Sequence, residues 1–375
     1  MENKAKKKIL ILSSGTGSGH NRAAEAIIEA WEAKGMECKM YDILSFFSEK
    51  ARETIINMYN GAVNSLAEGW GILYRTAEIT DKISFFAPTY WFNSTYAKKL
   101  YEHIKKEKYD AVVCTHMFSM ETVTKLKREG YLKIPTFAVI TDYAMYPFVA
   151  KTDVDYYFVS CPEVKAAFLE HDFSENRIIV SGIPVSAKFS ADLSKEEARK
   201  QLNLPVEDDV YLIMMGGTGF GNANELTDSI LKKSPKAYIV VFTGNNSKLK
   251  KEFEEEYSGS ENVIALGFTD KVHLYMRAGD VLLTKPGGLS STEACVANIP
   301  LVHTRAIPGL ETDNLEYFIK KGMSATADSA EGFAELAYKL INDKVAATTM
   351  RKAQTENTNA DSAKDIAEFI LEKVQ

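Results

Sequence analysis

Gly279-Asp280-Val281-Leu282-Leu283-Thr284-Lys285-Pro286-Gly287-Gly288-Leu289-Ser290-Ser291-Thr292-Glu293-Ala294 reads as a short buried strand, a break, and the start of a helix. Two residues without side chains at the break let a bulky anion approach the backbone, where the unpaired N–H groups and the positive end of the next helix face it. A diphosphate fits such a loop. Glu293, read as an acid in the first helical turn, is placed to accept hydrogen bonds from ribose hydroxyls. The same letters also spell a capping box, Ser290-x-x-Glu293, which would simply close the helix start.

A second glycine loop lies near the N-terminus. Lys7 to Ser13 reads as a buried strand, and Ser14-Gly15-Thr16-Gly17-Ser18-Gly19-His20 leads from it into a helix beginning near Asn21. Gly15-x-Gly17-x-Gly19 is not the G-x-G-x-x-G spacing, and only Asp42 stands where an acid after the next strand would be needed, so a nicotinamide enzyme is disfavoured. The loop instead delivers His20 to a first helical turn, where the helix dipole favours the neutral, proton-accepting imidazole. A solvated histidine at a helix start is the plainer alternative.

Strand and helix patterns alternate on both sides of Gly182-Ile183-Pro184. The strands are expected at Ile9 to Ser13, Glu37 to Tyr41, Ala111 to Thr115, Thr136 to Ile140, Tyr156 to Ser160 and Arg177 to Ser181, then at Val210 to Met215, Ala237 to Thr243, Val263 to Gly267, Val281 to Thr284 and Leu301 to His303. Such alternation gives parallel sheets covered on both faces. The expectation is an α/β chain of two Rossmann-like domains facing across a cleft, with ligands at the carboxyl ends of the strands. Ser194-Lys195-Glu196-Glu197 is a capping box whose helix should end before Pro205. The stretch from Ile43 to Tyr109 is too long for an ordinary crossover and rich in aromatics, a plausible insertion for acceptor binding.

The chain has 375 residues, 45% of them hydrophobic, enough for two domains with full cores. Its net charge is −6; residues 1 to 180 hold 23 Lys+Arg and 23 Asp+Glu, so the remainder holds 22 against 28. No basic footprint for nucleic acid is present. Cys38, Cys114, Cys161 and Cys295 are scattered without ligand spacing, which suits a reducing cytoplasm and argues against a disulfide framework or structural zinc. No apolar run approaches a membrane span. Trp91 and Phe92 precede Lys98, Lys99, Lys105, Lys106 and Lys108, as interfacial binding to an anionic membrane requires; a core helix with a solvated lysine face is the alternative. Asp153-Val154-Asp155 has the spacing of a metal-binding carboxylate pair but opens a strand at the end away from the expected cleft, and reads as loop chemistry.

The loop ending in Gly19-His20, the segment Met215 to Gly221, Lys285-Pro286-Gly287-Gly288 with Glu293, and Ile307-Pro308-Gly309-Leu310-Glu311 together resemble the monogalactosyldiacylglycerol synthase and processive diacylglycerol glucosyltransferase family, and more distantly the peptidoglycan N-acetylglucosamine transferase. The similarity runs from about Lys7 to the last helix. It implies the GT-B fold: an acceptor-binding domain over residues 1 to 183, a UDP-sugar-binding domain over 184 to 358, and a final helix within 359 to 375 packing back on the first. It implies inverting transfer of a hexose from a UDP-sugar to a lipid alcohol such as diacylglycerol, by a metal-independent enzyme for which the UDP-sugar is substrate and no cofactor is needed. His20 resembles the family's base, with Asp142 as orienting partner or alternative base. Gly217, Thr218, Gly287, Gly288, Leu289 and Ser290 match positions about the donor phosphates, Gly267 and Phe268 the segment meeting the base, Glu293 the ribose acid, and Glu311 and Asn314 positions against the donor sugar. The expected place is the cytoplasm, peripheral on the inner face of the cell membrane, with no nucleic-acid partner and an oligomeric state left open. Tyr146, Val149 and Leu310 depart from the family pattern and leave the lipid and the hexose open. Two rivals are a UDP-sugar epimerase of the same fold and a UDP-sugar sensor without turnover.

Overall fold

The computed structural model describes residues 6–15, 18–49, 52–53, 87–215 and 223–374. The chain separates into two compact units, one of Met1–Ser186, Ile307–Leu310 and Asp361–Gln375, the other of Ala187–Ala306 and Glu311–Ala360.

The first unit carries a six-stranded, wholly parallel sheet. Its strands are β1 Lys8–Ser13, β2 Glu37–Asp42, β3 Ala111–Cys114, β4 Thr136–Val139, β5 Tyr156–Val159 and β6 Ile178–Val180, in the order β2-β1-β3-β4-β5-β6. The central strands are unbroken apolar runs because helices cover both faces; Ile9 to Leu12 are all fully buried. β2 is an edge strand, and none of its residues, ECKMYD, is buried. One core of this unit joins Ile9, Ile11, Ile27 and Trp31 to Val113, Phe137 and Phe158, and the helix Ser362–Lys373 closes it with Ile366, Ala367 and Ile370. That last helix thus belongs to the first unit although it ends the chain.

The second unit holds β7 Val210–Met214, β8 Tyr238–Gly244, β9 Val263–Gly267, β10 Val281–Thr284, β11 Leu301–His303 and β12 Ala325–Thr326, in the order β12-β11-β10-β7-β8-β9. Numbered within the unit this is the 3-2-1-4-5-6 arrangement of a Rossmann sheet. β12, only two residues long, carries no readable pattern and was not expected. The capping box at Ser194 and Glu197 forms, and its helix Lys195–Leu202 ends at Asn203 in the left-handed region, φ 55°, ahead of Pro205.

Topology fixes where ligands can reach each sheet. The order in which successive strands are added reverses between β1 and β3 in the first unit and between β7 and β10 in the second, and at such points the loops leaving the carboxyl ends diverge and open a crevice.

Candidate active site

At the first reversal, β1 runs into the helix Ser18–Glu32, which begins three residues earlier than the sequence suggests. First-turn N–H groups have no intrahelical partner whichever residue supplies them, so Gly19 costs little there. Ser13 Oγ donates to Asn21 Oδ1 at 2.5 Å and ties the strand end to the helix start. His20, partly buried, donates from Nδ1 to the Thr115 carbonyl at the end of β3, 2.8 Å away, with Thr141 Oγ1 3.1 Å from the same nitrogen. A carbonyl can only accept, so the proton sits on Nδ1 and Nε2 keeps its lone pair. Burial lowers the ring's pKa below the ordinary histidine value, while the Asp142 charge and the Thr115 carbonyl pull it back up. A neutral imidazole with a defined acceptor nitrogen is what a general base needs.

Asp142 follows β4. Its Oδ2 accepts from the Tyr146 hydroxyl at 2.6 Å, and its carbonyl from Ser160 Oγ at 2.7 Å. It therefore acts on His20 through charge, while Thr115 and Thr141 hold the ring nitrogen. Sequence reading missed three members of this cluster: Thr115, Thr141 and His116. His116 caps the helix Met117–Arg128, accepting the Phe118 N–H on Nδ1 at 3.2 Å. Burial, and then His20, hold its pKa well below the ordinary value. Thr115 Oγ1 is buried with no hydrogen-bond partner among the described residues.

At the second reversal, β10 ends in Lys285-Pro286-Gly287 and the helix Gly288–Val296 begins. Gly287 is the N-cap, φ −76° and ψ 135°, and supplies no side-chain bond to the first-turn N–H groups around Gly288, Leu289 and Ser290, which have no intrahelical partner. The Ser290 and Glu293 capping box does not form. The helix starts before Ser290, which puts Glu293 in the second turn, not the first, and 2% exposed. A side chain added at Gly287 would meet nothing within 4 Å, so that glycine is not required by packing or by φ.

Glu311 and Asn314 sit on the helix Leu310–Lys320 and reach the same loop. Glu311 pairs with Lys285, and fully buried Asn314 donates to the Pro286 carbonyl at 3.1 Å. In this structure they shape the loop itself. Beneath it lies a residue the sequence did not signal: buried His303, whose Nε2 and Nδ1 are 2.8 Å and 2.9 Å from the Ser291 and Ser324 hydroxyls, with its pKa lowered to about 3 by burial. Gly267 ends β9, and Phe268 beside it is 74% exposed. Gly217 and Thr218 lie outside the described residues.

Asp153 and Asp155 are spoken for by cations. Arg177 Nη2 bonds Asp153 at 2.6 Å, Lys127 bonds Asp155 at 2.6 Å, and the Thr136 N–H and hydroxyl also donate to Asp155. Both stand ahead of β5, at the amino end of the sheet, in agreement with their reading as loop chemistry. Lys98, Lys99, Lys105 and Lys106 are exposed on the helix Ala87–Glu107, while Tyr96, Ala97, Leu100 and Ile104 of that helix are buried. The side chains of Trp91 and Phe92 lie outside the described residues.

Comparison with known proteins agrees with this layout. Residues 20–185 match the family described as monogalactosyldiacylglycerol (MGDG) synthase, and residues 194–360 match glycosyl transferases group 1. A processive diacylglycerol beta-glucosyltransferase of Bacillus pumilus is 26% identical over 379 residues, covering 98% of this chain and 95% of that protein. Among solved structures, MurG of Acinetobacter baumannii superposes with a TM-score of 0.63 at 14% identity, over 98% of this chain and 99% of that one. A UDP-GlcNAc 2-epimerase from Neisseria meningitidis, bound to UDP-GlcNAc, gives 0.64 at 14% identity over 97% and 100%. These two likenesses speak for the fold alone. Residues 20–185 thus carry a match to the monogalactosyldiacylglycerol synthase family and residues 194–360 one to glycosyl transferases group 1, the chain is similar over nearly its whole length to processive diacylglycerol beta-glucosyltransferases, and its two α/β units with parallel six-stranded sheets have the GT-B fold.

Proposed function

We propose that the protein transfers a hexose from a UDP-sugar to the hydroxyl of a lipid alcohol, diacylglycerol or a close relative, with inversion at the anomeric carbon. The observation that carries this is His20, in the first turn of the helix after β1, its pKa lowered by burial and Nε2 left as acceptor. In the reaction Nε2 takes the proton of the acceptor hydroxyl as its oxygen bonds the anomeric carbon. The bond from that carbon to the diphosphate oxygen breaks, and UDP leaves with the electron pair. The charge gathering on the diphosphate is met by N–H groups at the start of the helix Gly288–Val296, already oriented and with no side-chain cap from Gly287. Asp142 stabilises the imidazolium that forms. Glu293 serves the ribose, and Gly267 and Phe268 the base.

No helix among the described residues is long and apolar enough to cross a membrane. A lipid acceptor nonetheless demands a bilayer surface, and the exposed lysines of Ala87–Glu107 supply cations for an anionic one. The enzyme is accordingly proposed to be peripheral, on the cytoplasmic face. The deciding experiment is mass spectrometry of products formed from a panel of UDP-sugars and a mixed lipid extract. A hexosyl lipid identifies donor and acceptor together; epimerised UDP-sugar, or no product beside tight UDP binding, would overturn the assignment.

A further inference from the structure

His116 packs edge-on against His20, ring centroids 4.6 Å apart and planes at 84°. Its Nδ1 lone pair is engaged by the Phe118 N–H, so its single proton is on Nε2, the opposite tautomer to His20. Protonating Nδ1 would cost the helix Met117–Arg128 its cap and bury a second positive charge against a ring that must itself take up a proton. Among the described residues, groups from several elements face the pair. Asp142, with Tyr146 upon it, and Thr141 face His20 from the segment after β4. Thr115 faces it from β3, and Asp42 stands at the end of β2 against the Gly15 turn.

We propose that His116 is a positioning residue for His20: it fixes the plane of the ring, shields it from water, and by staying neutral leaves His20 the one member of the pair that accepts the proton of the sugar acceptor. This rests on His20 being the base.

Two substitutions separate positioning from folding. His116→Asn keeps a side-chain acceptor for the Phe118 N–H and removes the ring; His116→Phe keeps a ring and removes the acceptor. In His116→Asn, melting temperature and UDP affinity should stay near wild type, and kcat should fall roughly tenfold or more. The acid limb of its pH profile should rise toward the ordinary histidine value of 6.5, because His20 gains water. His116→Phe should retain more turnover and an unmoved acid limb while melting lower. Wild-type kcat and acid limb in His116→Asn, with His20→Ala inactive, would overturn the proposal alone. Full turnover in His20→Ala would instead remove the base reading. NMR titration of the His20 ring in His116→Asn reads the coupling without any turnover, and an unchanged midpoint there would also count against the proposal.

Discussion

His20 owes its chemistry to the carbonyl it faces. Because Thr115 can only accept, the lone pair is left on Nε2, and His20→Ala should lower turnover by about 10²–10⁴-fold while UDP affinity by calorimetry stays near wild type. Turnover within a few-fold of wild type at saturating substrate would sink the assignment. Asp142 raises the pKa of His20, so Asp142→Asn should move the acid limb of the rate profile down as it slows the reaction, a direction opposite to His116→Asn. At the donor loop, Gly287 has an ordinary φ and open space where a side chain would stand. Gly287→Val should therefore leave the melting temperature almost unchanged and weaken UDP binding. Glu293→Gln should weaken it by about 1–3 kcal/mol, the range for hydrogen bonds to a charged group. Unchanged calorimetric affinity in both variants would move the diphosphate elsewhere.

Helices carry these side chains to their places, and two helices deserve separate tests. The helix Ala87–Glu107 buries Tyr96, Ala97, Leu100 and Ile104 and leaves Lys98, Lys99, Lys105 and Lys106 exposed. Each lysine near an anionic bilayer is worth roughly 1 kcal/mol, so reversing all four to Glu should release the protein from phosphatidylglycerol vesicles without changing UDP affinity. Flotation of wild type that is equal on neutral lipid and in high salt would make them an ordinary solvated face. The helix Gly288–Val296 is held from below by His303 through Ser291. The spacing of Ser290 and Glu293 also allows a capping box; the tight Pro286-Gly287 turn, tied down by Asn314, begins the helix three residues sooner than that box would.

Acid stability is a property of the whole molecule. His20, His116 and His303 all titrate below the ordinary histidine value in the folded chain. Unfolding therefore takes up protons once pH falls under 6.5, and stability declines until each folded value is passed, near 3 for His303. Glu121 works the other way: burial raises it to about 7, so acidification from 7 toward 4.5 favours the folded state. Urea unfolding should show a shallow decline between pH 6.5 and 4.5 and a steeper one below it. Glu121→Gln should make the upper part steeper, and a His303→Asn variant should flatten the lower part even if it starts less stable. A stability curve that is flat from pH 7 to 4 in the Glu121→Gln variant would contradict this balance.

What the sequence determined by itself was whatever depends on local pattern. Unbroken apolar runs such as Ile9 to Leu12 and Val281 to Leu283 mark parallel strands covered on both faces. Glycine breaks mark the ends of β1 and β10, and the place of Asp153 and Asp155 ahead of a strand is legible in the same way. Only the tertiary structure decided which strands are neighbours. Placing β3 beside β1 brings Thr115 and His116 to His20, 95 and 96 residues away along the chain, and no spacing rule connects them. The same holds for Asn314 on Pro286 and for His303 beneath Ser291. Hydrogen bonds and ring contacts that fix a tautomer act between residues adjacent in space, and adjacency in a parallel sheet follows from crossover topology, which local sequence does not encode.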